Sequence, residues 1–179
     1  MSDHPAPSEP FSRIVRVDSL PPDGQTFELD ATPEERAALA ASYRLPSIEA
    51  LHATLRVRRA GRGGARVTGT VQGELTQTCI VSLDPFPAAI DEQVDLRFEP
   101  PRDDKRGHGD ESLTVSMDED EPDPLIDGKI DIGALAAEFF ALGLDPYPRK
   151  PGVTFEAPEE DGEEPSPFAA LRGRIPPKP

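Results

Sequence analysis

Apolar and polar residues alternate with a period of two through the middle of the chain, and that alternation predicts antiparallel strands. Leu51, Ala53, Leu55 and Val57 share one parity, while His52, Thr54, Arg56 and Arg58 share the other. After a loop from Ala60 to Gly64 the pattern resumes and runs much further. Val67, Val71, Leu75, Cys79, Val81 and Leu83 fall on one side; Arg66, Thr68, Thr70, Gln72, Glu74, Thr76 and Thr78 fall on the other. The prediction is a long hairpin with one dry and one wet face. Gly69 and Gly73 sit on the apolar parity, where they mark bends or places where another backbone comes close. A third strand, with Ile90, Val94, Leu96 and Phe98 against Asp91, Gln93, Asp95, Arg97 and Glu99, follows a corner at Asp84-Pro85-Phe86-Pro87.

Shorter signals flank this meander. Arg13 to Asp18 and Thr26 to Asp30 read as two strands joined by the turn Pro21-Pro22-Asp23-Gly24. Thr32, Pro33 and Glu35 then occupy the cap, first-turn and capping-box positions of a helix that ends near Arg44, because Pro46 disfavours helical geometry at Leu45. Its contact with the sheet falls to Leu39 and Tyr43. Asp131 caps a second helix carrying Ile132, Leu135, Phe139 and Leu142 on one face, with Gly143 as its stop and Pro146, Pro148 and Pro151 enforcing an extended exit. Ser112 to Met117 offers one more short strand.

These elements predict an α+β fold: an antiparallel sheet, strongly twisted or partly closed into a barrel by the two N-terminal strands, with two flanking helices and a disordered acidic tail. The chain has 179 residues with 22 prolines, 14 glycines and no tryptophan, so only part of it can be well packed. The expected organisation is a disordered leader over 1–10, one domain over 11–155 with an acidic loop at about 100–124, and an acidic, proline-rich tail over 156–179. Phe168 and Leu171 form a small apolar island in that tail.

Charge and cysteine content narrow the function. The net charge of −15 repels nucleic acid and anionic membrane at long range and favours a basic partner. A single cysteine, Cys79, excludes an internal disulfide and a cysteine-rich zinc site. Its parity places it in the core as a small hydrophobe, with no cationic or helix-terminal setting to activate it. His4, His52 and His108 have no metal-ligand spacing, and no phosphate loop or nucleophile elbow is present. No catalytic residue, metal or cofactor is expected, nor a membrane span or leader sequence, and the chain reads as a cytoplasmic binding protein.

Two stretches go beyond generic sheet patterning. Cys79-Ile80-Val81-Ser82-Leu83-Asp84-Pro85-Phe86 leads to the strand ending Phe98-Glu99-Pro100. The other block is Ile130-Asp131-Ile132-Gly133-Ala134-Leu135-Ala136-Ala137-Glu138, followed by Asp145-Pro146-Tyr147-Pro148-Arg149-Lys150-Pro151-Gly152. With Pro167-Phe168-Ala169-Ala170-Leu171, they resemble the YceD family of large-ribosomal-RNA-subunit accumulation proteins, in its alphaproteobacterial form. The resemblance implies a role in maturation or stability of large-subunit ribosomal RNA, hence in ribosome assembly, with no enzymatic activity attached. Many members carry a second cysteine where this chain has Ser82, so a paired-thiol metal or redox role is not carried over.

The most distinctive charge feature is a run of arginines. Arg56, Arg58, Arg59, Arg62 and Arg66 lie between Glu49 and Glu74 with no acidic residue intervening. A hairpin would set Arg56, Arg58 and Arg66 on its wet face and Arg59 and Arg62 at or near its tip, where guanidinium forks suit phosphate. The plainer reading is a solvated face paired to neighbouring carboxylates. Without aromatic side chains beside the patch, RNA would be read by backbone and shape. Partners are therefore large-subunit RNA or its precursor, or a basic ribosomal protein or assembly factor held by the acidic surface. Tyr147, Arg149 and Lys150 are candidates for a contact site beside the second helix, as in a structural adaptor. The catalytic alternative, a metal-dependent RNA-processing enzyme using residues such as Asp91 and Asp95, has its densest carboxylates in segments expected to be disordered.

Overall fold

A computed structural model describes residues 10–61, 63–101 and 122–155. The elements run β1 (Ile14–Arg16), a 3-10 turn (Val17–Ser19), β2 (Gln25–Asp30), α1 (Pro33–Tyr43), β3 (Ser47–Ala60), β4 (Gly64–Thr78), β5 (Pro85–Glu99), β6 (Asp123–Pro124), β7 (Lys129–Asp131) and α2 (Ile132–Leu142). Leader, Arg62, the segment holding Ser112 to Met117, and the tail with Phe168 and Leu171 lie outside the described residues.

The meander forms as the alternation predicts. The sheet order is β2-β3-β4-β5-β6, antiparallel except for the short parallel pair β5–β6. Leu51, Ala53, Leu55, Val57, Val67, Val71 and Leu75 are all 2% exposed or less and so lose their hydration. But β4 ends at Thr78, so Val81 is only half-buried and Leu83, 75% exposed, falls outside the dry face the alternation gave them. Both predicted glycine positions are close approaches. A Cβ on Gly73 would sit 2.4 Å from the Phe140 ring, and one on Gly69 would sit 2.0 Å from the Thr54 carbonyl. A bulge between Ile48 and Ala50 lets Ile48 pair with Leu75 and Leu51 with Gly73, keeping both apolar residues on the dry side.

Both helices lie on that side. Thr32 and Glu35 form the reciprocal capping box, and Arg44 ends α1 in the left-handed region at φ 58°. Tyr43 stacks on Phe140 of α2 at 6.3 Å and donates to the Ala137 carbonyl at 2.9 Å, which ties the helices together over the sheet. Asp131 caps α2 by accepting from the Gly133 and Ala134 N–H groups, both at 3.1 Å. It also accepts from Ser12 Oγ and from the Arg13 N–H at 2.7 Å, so the cap anchors the N-terminal segment as well.

Two expectations need correction. The sheet does not close into a barrel: β1 leaves it and pairs with β7, so among the described residues β2 has only β3 as a neighbour. The physical reason is the 3-10 turn after β1, which redirects the chain before it reaches the sheet. The corner at Asp84 to Pro87 is not a turn either. Pro85 pairs with Thr78 and Pro87 with Thr76, so β5 begins at Pro85 and the turn is Cys79 to Asp84. Proline is tolerated there because, among the described residues, β5 has no strand on its other side along this stretch.

Candidate nucleic-acid interface

Register decides which arginines meet. Arg58 lies opposite Arg66, and Arg66 lies opposite Arg97, giving one row of three arginines across β3, β4 and β5. The next row contains Thr26, Arg56, Thr68 and Asp95. All these side chains belong to the face opposite the helices. Like charges set directly opposite one another destabilise a sheet unless something neutralises them.

Partial neutralisation comes from within. Arg66 makes a bidentate pair with Asp95, Nε at 2.7 Å and Nη2 at 2.6 Å, and this contact raises the arginine pKa while holding the Asp95 carboxyl below the ordinary carboxylate range. Arg56 donates to the Asp23 carbonyl at 3.0 Å and keeps its charge uncompensated by that bond. Arg58 and Arg97 are exposed, and neither has a hydrogen bond or ion pair among the described residues. Beside the row, a cleft of about 720 Å³ opens between the β3–β4 turn and the end of β5, lined by Arg66, Arg97, Phe98, Glu99 and Pro100.

Arg59 does not join this group. Its guanidinium turns to the N-terminal segment, donating to the carbonyls of Val17 at 3.0 Å, Asp18 at 2.5 Å and Leu20 at 2.6 Å. It holds the 3-10 turn over the end of the sheet. Arg97 takes its place in the row. Sequence reasoning passed over it because it lies 31 positions beyond Arg66 in the chain, and only the β4–β5 register makes them neighbours.

The face carries a gradient. Past these two rows comes one of Glu28, Thr54, Thr70 and Gln93, and beyond it lie Asp30, Asp91 and Glu74, with His52 against Asp30 at 2.8 Å. Positive charge is thus concentrated at the hairpin end of a chain whose net charge is −15.

The segment holding Tyr147, Arg149 and Lys150 packs on the β4–β5 turn, which is where its anchors fall. Ile80 N–H donates to the Pro148 carbonyl at 2.9 Å, Gln77 donates to Asp145 O at 3.2 Å, and Lys150 Nζ lies 3.3 Å from Asp84. Tyr147 is 70% exposed, near the exposed Ile80 and Leu83. In the same turn Cys79 is buried as expected, but its surroundings are not inert. The N–H groups of Ser82, Lys150 and Val81 point at the sulfur and outweigh its burial, pulling the thiol down to about 6. Parity could show burial; the turn that aims these N–H groups has no period to read.

Among the described residues no group of three His, Cys, Asp or Glu side chains is placed to hold a metal. Asp91 accepts from Gln72 at 3.1 Å and Asp95 is bound to Arg66, so each of the two carboxylates considered for catalysis has a polar partner. No helix among the described residues is long and apolar enough to cross a membrane.

A family model described as large ribosomal RNA subunit accumulation protein YceD matches residues 67–173. Neither the curated proteins nor the solved structures contain a match.

Proposed function

The chain belongs to the YceD family of large ribosomal RNA subunit accumulation proteins, and from that premise we propose that it works by binding, with the arginine row as its contact to large-subunit ribosomal RNA or a precursor. The family description names accumulation of an RNA and no reaction. The observation that carries the reading is the row Arg58, Arg66 and Arg97, extended by Arg56, on an outer face that no helix covers among the described residues. Four guanidinium groups there stand against the carboxylates of Asp95 and Glu99. A phosphate backbone laid across three strands would relieve their mutual repulsion and use forks already held apart by the strand spacing.

The test is an electrophoretic shift with precursor large-subunit RNA at 50 and 200 mM salt. Three or four phosphate contacts give a log–log slope of roughly −2 to −3.5, a loss of about 15- to 130-fold over that range. Arg58→Glu with Arg97→Glu should abolish the shift, while Arg59→Lys should leave it in place in folded protein. Salt-insensitive binding, or binding indifferent to the charge reversals, would refute the interface.

A protein-contact reading is favoured by the exposed Ile80, Leu83 and Tyr147 around the β4–β5 turn. If Leu83→Ser with Tyr147→Ser removes the protein from sedimenting ribosomal precursors while the arginine reversals do not, the working surface is that turn.

A further inference from the structure

The long strand β5 has β4 along one side, but on the other, among the described residues, only β6 meets it, and only at Phe98 and Glu99. Which backbone groups face that open side follows from two facts. The Glu99 carbonyl accepts from Leu125 N–H at 2.7 Å on the β6 side, so odd-numbered residues of β5 point outward. Pro85 and Pro87 are also odd-numbered, which is where a missing N–H costs the β4 ladder nothing. The register with β4 is unbroken from Phe98 to Pro85, so the parity holds throughout. Ala89, Asp91, Gln93 and Asp95 therefore present their N–H and C=O groups to an edge with no strand on it among the described residues.

The inward face of this edge carries an unexpected charge. The row Leu29, Ala53, Val71 runs across the dry side of the sheet and ends at Glu92. Glu92 is half-buried, and among the described residues no hydrogen bond or ion pair meets its carboxylate. It also lies against the C-terminus of α2: a Cβ on Gly143 would be 2.9 Å from its Oε1. The negative end of the helix dipole thus adds to the carboxylate instead of offsetting it. Alongside, an apolar groove of about 560 Å³ passes between β5 and α2, lined by Leu96, Phe98, Phe139 and Leu142, the last 68% exposed.

We propose that the β5 edge and this groove receive an extended basic segment of another protein as an added strand, with one lysine or arginine entering beside Glu92. Strand addition supplies the main-chain bonds, and alternate side chains of the guest enter the groove. Charge selects the occupant. An inward carboxylate on an edge strand is a device against pairing with like edges, and two copies at −15 each would bring two such carboxylates together. A guest with lysine or arginine between apolar side chains removes both penalties. This site uses the open edge and dry face of β5, whereas the arginine row lies on the opposite face and reaches β5 only through Arg97, so the site does not depend on RNA binding there.

The experiment follows amide hydrogen exchange by NMR in the full-length protein, with and without a synthetic peptide of sequence Lys-Val-Lys-Val-Lys-Lys-Lys-Val-Lys, and with its glutamate-for-lysine counterpart. The lysine peptide should slow the outward amides of Ala89, Asp91, Gln93 and Asp95 at least about tenfold at saturation, leaving those of Ile90 and Val94, already in the β4 ladder, unchanged. Glu92→Gln, which keeps the size of the side chain, should weaken that peptide about tenfold or more without altering the exchange of the free protein. No slowing, equal slowing by both peptides, or an unchanged affinity in Glu92→Gln overturns the proposal. Outward amides already slow in the free protein also overturn it, a concentration-independent result pointing to this chain's own segments and a concentration-dependent one to a second copy.

Discussion

A thiol held near pH 6 by backbone N–H groups links its charge to the fold. Because the folded value lies below that of an unfolded cysteine, about 8.5, the thiolate contributes stability that is complete above the unfolded value and is lost as pH falls through about 6. Urea unfolding of the native chain and Cys79→Ser should therefore diverge between pH 6 and 9, with the native chain gaining relative to the variant as pH rises. Parallel curves would show that the sulfur stays protonated. Asp131 sets the opposite end of the pH scale. Burial raises its pKa, but the hydrogen bonds from Ser12, Arg13, Ala134 and Gly133 outweigh that and hold it low. Its stabilising contribution is present above the ordinary aspartate value near 3.9 and fades as pH drops through the lower, folded one. Asp131→Ala removes the α2 cap and should cost about 1–2 kcal/mol at neutral pH, read from urea midpoints.

At the scale of elements, the joint between sheet and helices is the contact of Phe140 with Gly73. The ring occupies the space a side chain would take, so Gly73→Ala must displace Phe140 and with it the stack on Tyr43. A cost of about 1–3 kcal/mol is expected, accompanied by a change in near-ultraviolet tyrosine signal. An unchanged signal would mean the helices are not coupled there. Arg59 is the second joint: its three carbonyl contacts secure the turn that keeps β1 off the sheet. Arg59→Ala should lower stability without changing the salt slope of RNA binding, whereas Arg58→Ala should reduce the slope by nearly one and leave stability almost untouched.

For the whole molecule, a net charge of −15 and a local arginine row pull in opposite directions. Long-range repulsion slows the encounter with RNA, and the row acts only within about one Debye length, roughly 10 Å at 0.1 M salt. Charge therefore favours basic protein at most of the surface and RNA at one end of the sheet. That arrangement suits a factor standing between an RNA and a basic protein, and it gives the two proposed sites separate mutational signatures.

The sequence by itself determined the meander and the two capped helices, because each depends on a local period or on residues within a few positions. It also determined the family resemblance, carried by continuous blocks around Cys79 and Ile130. Long-range register decided the rest. Arg97 joined Arg66, Arg59 left the patch, β1 paired with β7 instead of closing the sheet, and Glu92 came to lie beside the end of α2. None of these has a signature along the chain, since each arises when strands and helices from separate segments choose their neighbours. Side-chain identity sets what a strand can bury; only tertiary pairing sets which charges must face one another once it is buried.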